Sequence, residues 1–532
     1  MKIISKSIAV ALTMFCATAL ATLGKDAIKV ACVGNSITYG TGVQPRETMN
    51  YPTQLGRMLG DGYEVGNFGH PGATLLKKGH NPYMKLPEFR AALDFKPDIA
   101  IIHLGINDTD PRNWPQYGDE FITDYLALID SLKSVNPDVR VIIAQLTPIT
   151  AKHRRFNSGT RLWRDMIQDA IADVASISQS ELIDFNAPLH DRGNLLPDAI
   201  HPNAEGATIL AKTVYGAITG NYGGLSLPPV YGDGMVLQRY KPLTINGRAD
   251  ADAKISISVG DNKATAVADN KGNWSATLAP MAEATGLTMT VSDGKSDLVF
   301  NDVAVGEVWL ASGQSNMEFL LRYSNTFAAD TVAANDPLLR LYNMKPRVAT
   351  NSKEWSEADK DSVDRLVYYL PTQWKASTPS SAANFSAAGW HFGKMLRDSL
   401  NVPVGIICNA IGGSNTESWI DIETLEHGLP EVLLNWRQND YVQPWAQQRA
   451  GQNTGTANPN RRHPYQPSYL FATGIRPLGA YPLAGVIWYQ GESNAHNTEV
   501  HERLFPLLID SWKSNWNDPE LPFIYTQLIS ID

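Results

Sequence analysis

The sequence predicts an α/β protein in which two doubly wound α/β/α domains, the second incomplete, flank a small β-sandwich. Three observations carry that prediction. Short apolar runs alternate with helical stretches from Lys25 to about Asn221. The texture then changes to short alternating segments between Gly, Asp and Asn turns, as far as about Val303. Runs typical of a buried parallel sheet return from Glu307. A chain of 532 residues is too long for one core, and about three domains of ordinary size fit it.

The first residues, MKIISKSIAVALTMFCATALA, place Lys2 and Lys6 ahead of an apolar run that ends in a small-x-small site at Ala19 to Ala21. Residues 1–21 are expected to be a signal peptide, which implies export to the periplasm or the medium. Phe15 precedes Cys16 where a lipoprotein site wants a small residue, so lipid attachment is disfavoured. Cys32 and Cys408 remain, each within an apolar strand of a separate domain, and read as buried small hydrophobes rather than a disulfide or a metal pair.

In the first domain (22–221) the strands are AIKVACV, YEVGNFG, DIAIIHLG, VRVIIAQL and ELIDF. EFITDYLALIDSLKSV and WRDMIQDAIADVASIS carry apolar residues at helical spacing. Alternating strand and helix gives a parallel sheet covered on both faces; the strand order is not readable. The sandwich (222–305) follows from PLTINGRA, KISISVG, WSATLAP, LTMTVSD and LVFNDVA, separated by turns such as DNKGN and SDGK. It reads as a spacer that packs its neighbours together. The last domain (306–532) takes EVWLAS, VPVGIICNA, LAGVIWYQ and LPFIYTQL as strands and AAGWHFGKMLRDSL as a helix, and Arg322 to about Ser386 reads as loop and short elements. Composition is ordinary, with 43% hydrophobic and 19% charged residues, and a net charge of −9 without any Lys/Arg block gives no footprint for nucleic acid. After the leader, no apolar run is long enough to cross a bilayer, so no membrane insertion is expected once the leader is cleaved.

Ser36 falls just after the strand AIKVACV, at the carboxyl edge of a parallel sheet, where ligands of such sheets bind. Three further segments bring chemistry to the same rim: YEVGNFGHPGATL with Gly72, DIAIIHLGIND with Asn107 and Asp108, and LPDAIHPNAEG with Asp198 and His201. A serine hydroxyl is a poor nucleophile until a base takes its proton, and His201 can do so when Asp198 fixes its tautomer. An oxyanion then needs prearranged donors, and the amides of Ser36 and Gly72 and the side chain of Asn107 are the natural set. His103, in mid-strand, reads as core, and His70 as a candidate for the pocket mouth.

GNSIT, the Gly72 loop, GIND and DAIHP together resemble the four blocks of the GDSL or SGNH hydrolase family, with Asn35 where the family's name has Asp. The resemblance implies a serine esterase that needs no metal or cofactor. In the second half, EVWLASGQSNMEF, NAIGGSNTESWI and WYQGESNA resemble blocks of the sialate O-acetylesterase family, and LPPVYGDGMVLQRYKPLTINGRA resembles its opening strands. That resemblance implies Ser315 as a nucleophile, Gly413 (or Gly412) and Gln490 (or Asn494) as oxyanion donors, Glu492 as a loop holder, and Trp419 and Trp488 as sugar platforms. No D-x-x-H block follows Ser315, and the expectation is a truncated copy or a fragment of a longer chain. Together the two resemblances point to a secreted esterase acting on O-acetylated sialic acids, with acetylxylan or general carbohydrate acetyl esterase as one alternative. The other is a catalytic first domain served by a sialoglycan-binding second half.

Overall fold

The computed structural model describes residues 27–528 apart from 154, 155, 157–159, 456 and 459, so the leader 1–21 lies outside the described residues. Strands β1 (Ile28–Gly34), β2 (Tyr63–Gly69), β3 (Ile99–His103), β4 (Arg140–Ala144) and β5 (Glu181–Ile183) form one parallel sheet in the order β2-β1-β3-β4-β5. The order turns back at β1, which opens a crevice at the carboxyl ends of β1 and β3. Helices Tyr51–Leu59 and Ala204–Thr219 pack together, as do Phe121–Val135 and Arg161–Ser178. They leave Val30 to Val33 and Ala100 to Ile102 buried on both faces. That double burial is why these strands read as continuous apolar runs.

In the middle of the chain, strands β6 (Val236–Gln238), β7 (Leu243–Arg248), β8 (Lys254–Val259), β9 (Asn262–Val267), β10 (Asn273–Leu278) and β11 (Ala284–Ser292) lead into β12 (Asp297–Gly313). From β7 to β11 the pairing is antiparallel. Alternation is clean in β8 and β10, where Ile255, Ile257 and Val259 face Trp274, Ala276 and Leu278 across one core. β12 is the joint between the second and third regions. Its first half pairs antiparallel with β11 and parallel with β6, and its second half pairs parallel with β15 (Val404–Ala410) and β16 (Gly485–Tyr489). The boundary expected between residues 305 and 306 therefore falls inside a 17-residue strand.

Around β12 the last sheet runs β14-β13-β15-β12-β16-β17, with β13 at Asp336–Asn343, β14 at Trp374–Ser377 and β17 at Phe523–Tyr525. The stretch expected to be loop and short elements contributes two strands, β14 of four residues and β13 of eight, which the surrounding Asn, Asp and Ser residues mask. The segment β15-β12-β16-β17 reproduces β2-β1-β3-β4 strand for strand, and no equivalent of β5 occurs among the described residues. Cys32 and Cys408 are both buried and unbonded to each other, and burial pushes each thiol up to about 12.

Candidate active site

The turn after β1 is built to present one hydroxyl. Asn35 accepts from the Ile37 amide at 2.9 Å through its side-chain oxygen and donates from its amide nitrogen to the His103 carbonyl at 3.2 Å. It therefore caps the short helix Ser36–Tyr39 and ties it to the end of β3. Gly34 has no room for a side chain, since a Cβ there would lie 2.8 Å from the His103 carbonyl oxygen. Ser36, at the first helical position, keeps a backbone N–H that the helix itself does not use.

Three side chains then form a continuous relay. His201 Nε2 lies 2.8 Å from Ser36 Oγ, and His201 Nδ1 lies 2.6 Å from Asp198 Oδ2. The other Asp198 oxygen accepts from the backbone of His201 at 2.8 Å and of Ile200 at 3.2 Å. Burial alone would raise the Asp198 carboxyl, but the bonds from the His201 side chain and backbone outweigh it and hold it below its ordinary value. Asn203 caps the helix Ala204–Thr219 by accepting from Gly206 at 3.0 Å, which anchors the loop just after His201.

The glycine and asparagine loops meet at the same rim. Gly72 has φ +79°, a left-handed conformation that favours glycine. His70 donates its backbone N–H to Gly34 at 3.0 Å, which joins the Gly72 loop to the Ser36 turn. Asn107 donates one amide hydrogen to Ala73 at 2.9 Å and keeps a second. His70 pairs with Glu88 at 3.0 Å, half-buried. His103 packs on Phe185 inside the core, and burial pushes it down to about 3, so it stays neutral.

Asp108, which the sequence places on the rim beside Asn107 without a stated role, is a positioning residue. Fully buried, it accepts from the backbone of Leu75 and Leu76 at 2.9 Å each and so clamps the Gly72 loop to the Asn107 loop. Its neighbour Asn107 is the only sequence signal that could have marked it. Burial pushes its carboxyl up to about 7 against an ordinary 3.8, despite those two bonds. A folded value above the unfolded one means that its stability contribution is complete at low pH and is lost as pH rises through about 7. Thermal unfolding is expected to show a lower Tm at pH 8 than at pH 5. Asp108→Asn should weaken that slope while costing about 1–3 kcal/mol at pH 5, because its NH2 would face a backbone N–H.

Ser315 lacks these partners. It stands exposed after β12, and among the described residues no histidine or carboxylate side chain bonds to it. Gln314 accepts from Gly491 at 3.2 Å and Ser493 at 3.3 Å, which ties the serine turn to the Gln490 loop. The expected oxyanion donors are largely occupied. Gln490 uses one amide hydrogen on Asn494 at 2.7 Å and the other on Ser414 at 3.3 Å, so it has none left for an oxyanion. The Gly412 amide donates to Glu318 at 2.7 Å, while Gly413 holds φ +76° and accepts from Ser493. Glu492 accepts from Asn316. Trp419 and Trp488 are not sugar platforms: at 0% and 1% exposure they meet edge to face within the core, and Trp419 Nε1 donates to Ser414 at 2.9 Å. Among the described residues no cluster of His, Cys, Asp and Glu could hold a metal, and no helix is long and apolar enough to cross a membrane.

Residues 32–209 match the GDSL-like lipase/acylhydrolase family, and residues 469–532 match the family described as carbohydrate esterase, sialic acid-specific acetylesterase. The first match contains Ser36, Gly72, Asn107, Asp198 and His201; the second contains Gln490 and Glu492 but begins after Ser315 and Gly413. Among curated proteins, the chain is 38% identical over 215 residues to an acetylxylan esterase of Xylanibacter ruminicola, covering 36% of this chain and 44% of that protein. It is 30% identical over 321 residues to a sialate O-acetylesterase of Rattus norvegicus, covering 53% and 56%. A carbohydrate acetylesterase from Xanthomonas citri of solved structure is 32% identical, with a TM-score of 0.44 over 57% of this chain and 60% of that one. The chain spans about half the length of the curated relatives it matches.

Proposed function

We propose that this chain, which carries a GDSL-like lipase/acylhydrolase domain, is an exported carbohydrate acetyl esterase that works through Ser36 and acts on O-acetylated sialic acids. The observation that carries the reading is the unbroken relay from Ser36 Oγ through His201 to Asp198. In the first step Ser36 Oγ bonds to the acetyl carbon as its proton passes to His201 Nε2, while Asp198 steadies the imidazolium. The carbonyl oxygen becomes an oxyanion facing the Ser36 and Gly72 amides and the spare hydrogen of Asn107. Collapse breaks the bond to the sugar oxygen, which leaves with the proton from His201. Water then repeats the sequence on acetyl-Ser36, and acetate departs.

Sialic acid is favoured by the match at residues 469–532 and by the rat relative's name. The relative from Xylanibacter ruminicola favours acetylated xylan as a second reading. Acetate release from O-acetyl-N-acetylneuraminate and from acetylated xylan separates them: kcat/KM is expected to be about tenfold higher on the sialate, a difference of about 1.4 kcal/mol. The same assay on Ser315→Ala should stay within about twofold of the parent, since no histidine or carboxylate bonds Ser315 among the described residues. Faster turnover of xylan would overturn the substrate, and loss of activity in Ser315→Ala would overturn the assignment to Ser36.

A further inference from the structure

The first α/β unit meets the last one across a polar seam that holds a partly open cavity of about 90 Å³. By the volume a single water needs, that is room for about six to nine water-sized groups, enough for the carboxylate end of a sugar acid whose remainder projects from the seam. Thr150, Lys152 and Asn194 line it from the first unit, and Trp436, Asn460 and Arg462 from the last.

Its charge is unbalanced. Arg462 is only 5% exposed; one terminal nitrogen donates to the Asp191 carbonyl, and its Nε has no acceptor within reach. Lys152 donates to the amide oxygen of Asn460 at 2.7 Å and meets no carboxylate among the described residues. Burial pushes Arg462 down to about 10. The acids on the wall are engaged elsewhere: Asp191 pairs with Arg476 and accepts from Ser468, and Glu426 holds His190 at 2.9 Å. Arg461, which also faces the cavity, is held by Glu357, Asp361 and Asp364. Two neutral groups on the wall, Thr150 Oγ1 and Asn194 Oδ1, are also buried without a partner.

We propose that this seam binds a carboxylate-bearing sugar. The carboxylate accepts from Arg462 Nε–H and the Lys152 ammonium, which are charge-assisted bonds and so the strong ones. Ring hydroxyls donate to Asn194 Oδ1 and bond Thr150. A neutral pentose satisfies the hydroxyl partners and brings no opposite charge to either cation, so the site discriminates by charge. The Thr150 amide donates to the Ala199 carbonyl at 3.0 Å, which bonds the cavity wall to the loop of Asp198 and His201. The inference does not rest on Ser36 chemistry, because binding of an unesterified acid needs no nucleophile.

Titration calorimetry of the full chain with glucuronate, N-acetylneuraminate, xylose, acetate and inorganic phosphate tests it. Both sugar acids are expected to bind saturably and xylose not at all. Lys152→Ala and Asn194→Ala, which alter partly exposed side chains, should each raise the Kd for the acids about tenfold or more, and Ser36→Ala should bind as the parent does. Arg462→Met should abolish binding if it folds. Equal binding of xylose, unchanged affinity in both Lys152→Ala and Asn194→Ala, or loss of binding in Ser36→Ala would overturn the proposal. So would acetate or phosphate binding as tightly as the sugar acids.

Discussion

Ser36→Ala is expected to lower kcat/KM for acetate release by roughly 10⁴- to 10⁶-fold, the range seen when a serine nucleophile is removed from an intact triad. The loss should be almost wholly chemical. Ser36 Oγ bonds His201 and makes no other hydrogen bond among the described residues, and alanine suits the first turn of a helix. The cap from Asn35 to Ile37 and the tie to His103 do not involve the hydroxyl, so the turn keeps its shape. Tm should therefore shift by less than a few degrees while acetate release collapses. Residual activity within about tenfold of the parent would mean that another nucleophile does the work, and Ser315 would then be the first to test.

The contrast between the two serines shows what a sequence can and cannot disclose. Both follow an apolar strand and a glycine, and both were legible as nucleophile turns from that pattern alone. The side chains bonded in line with Ser36 were legible too, because Asp198 and His201 sit three apart in one loop whose turn is closed by Asp198 itself. Strand order was not readable, since apolar runs record burial and not neighbours; the order β2-β1-β3-β4-β5 emerges only from pairing. The joint at β12 was hidden for a related reason. Its first half alternates as a sandwich strand and its second half is continuously buried, so one strand reads as two.

Other parts of the site failed to show because they depend on who else is bonded. Gln490 has the right amide for an oxyanion donor, yet both its hydrogens are committed to Asn494 and Ser414. Trp419 and Trp488 have the right rings for a sugar, yet the helix Thr498–Trp516 covers them through Trp512. Asp108 looked like a neighbour of Asn107 and is instead the clamp between two loops. Asn35 is the reverse case. An Asp there could accept from Ile37 but could not donate to the His103 carbonyl, so the departure from the family's name adds a bond in this chain.

The second large effect concerns a residue bonded to the histidine and not to the serine. Asp198→Asn keeps the side chain's size and can still accept from the backbone of His201 and Ile200, so folding should be nearly unchanged. The difference falls on the atom now 2.6 Å from His201 Nδ1. A carboxylate oxygen there accepts, which puts the ring proton on Nδ1 and leaves Nε2 bare to receive the Ser36 proton. An amide NH2 there donates, which moves the ring proton to Nε2 and aims it at Ser36 Oγ. That tautomer cannot act as base, and serine-protease triads with this change lose about 10⁴-fold in kcat. Asp198 has a side chain 56% exposed, so water competes for Nδ1 and the expected loss here is smaller, about 10³-fold. The loss should appear in kcat rather than KM, because Asp198 lies behind the histidine and away from the acyl group. Raising the pH should recover part of the rate, as hydroxide takes over the proton that His201 no longer accepts. A loss below about tenfold with an unchanged pH profile would show that His201 takes its tautomer without Asp198, and the relay would then end at the histidine.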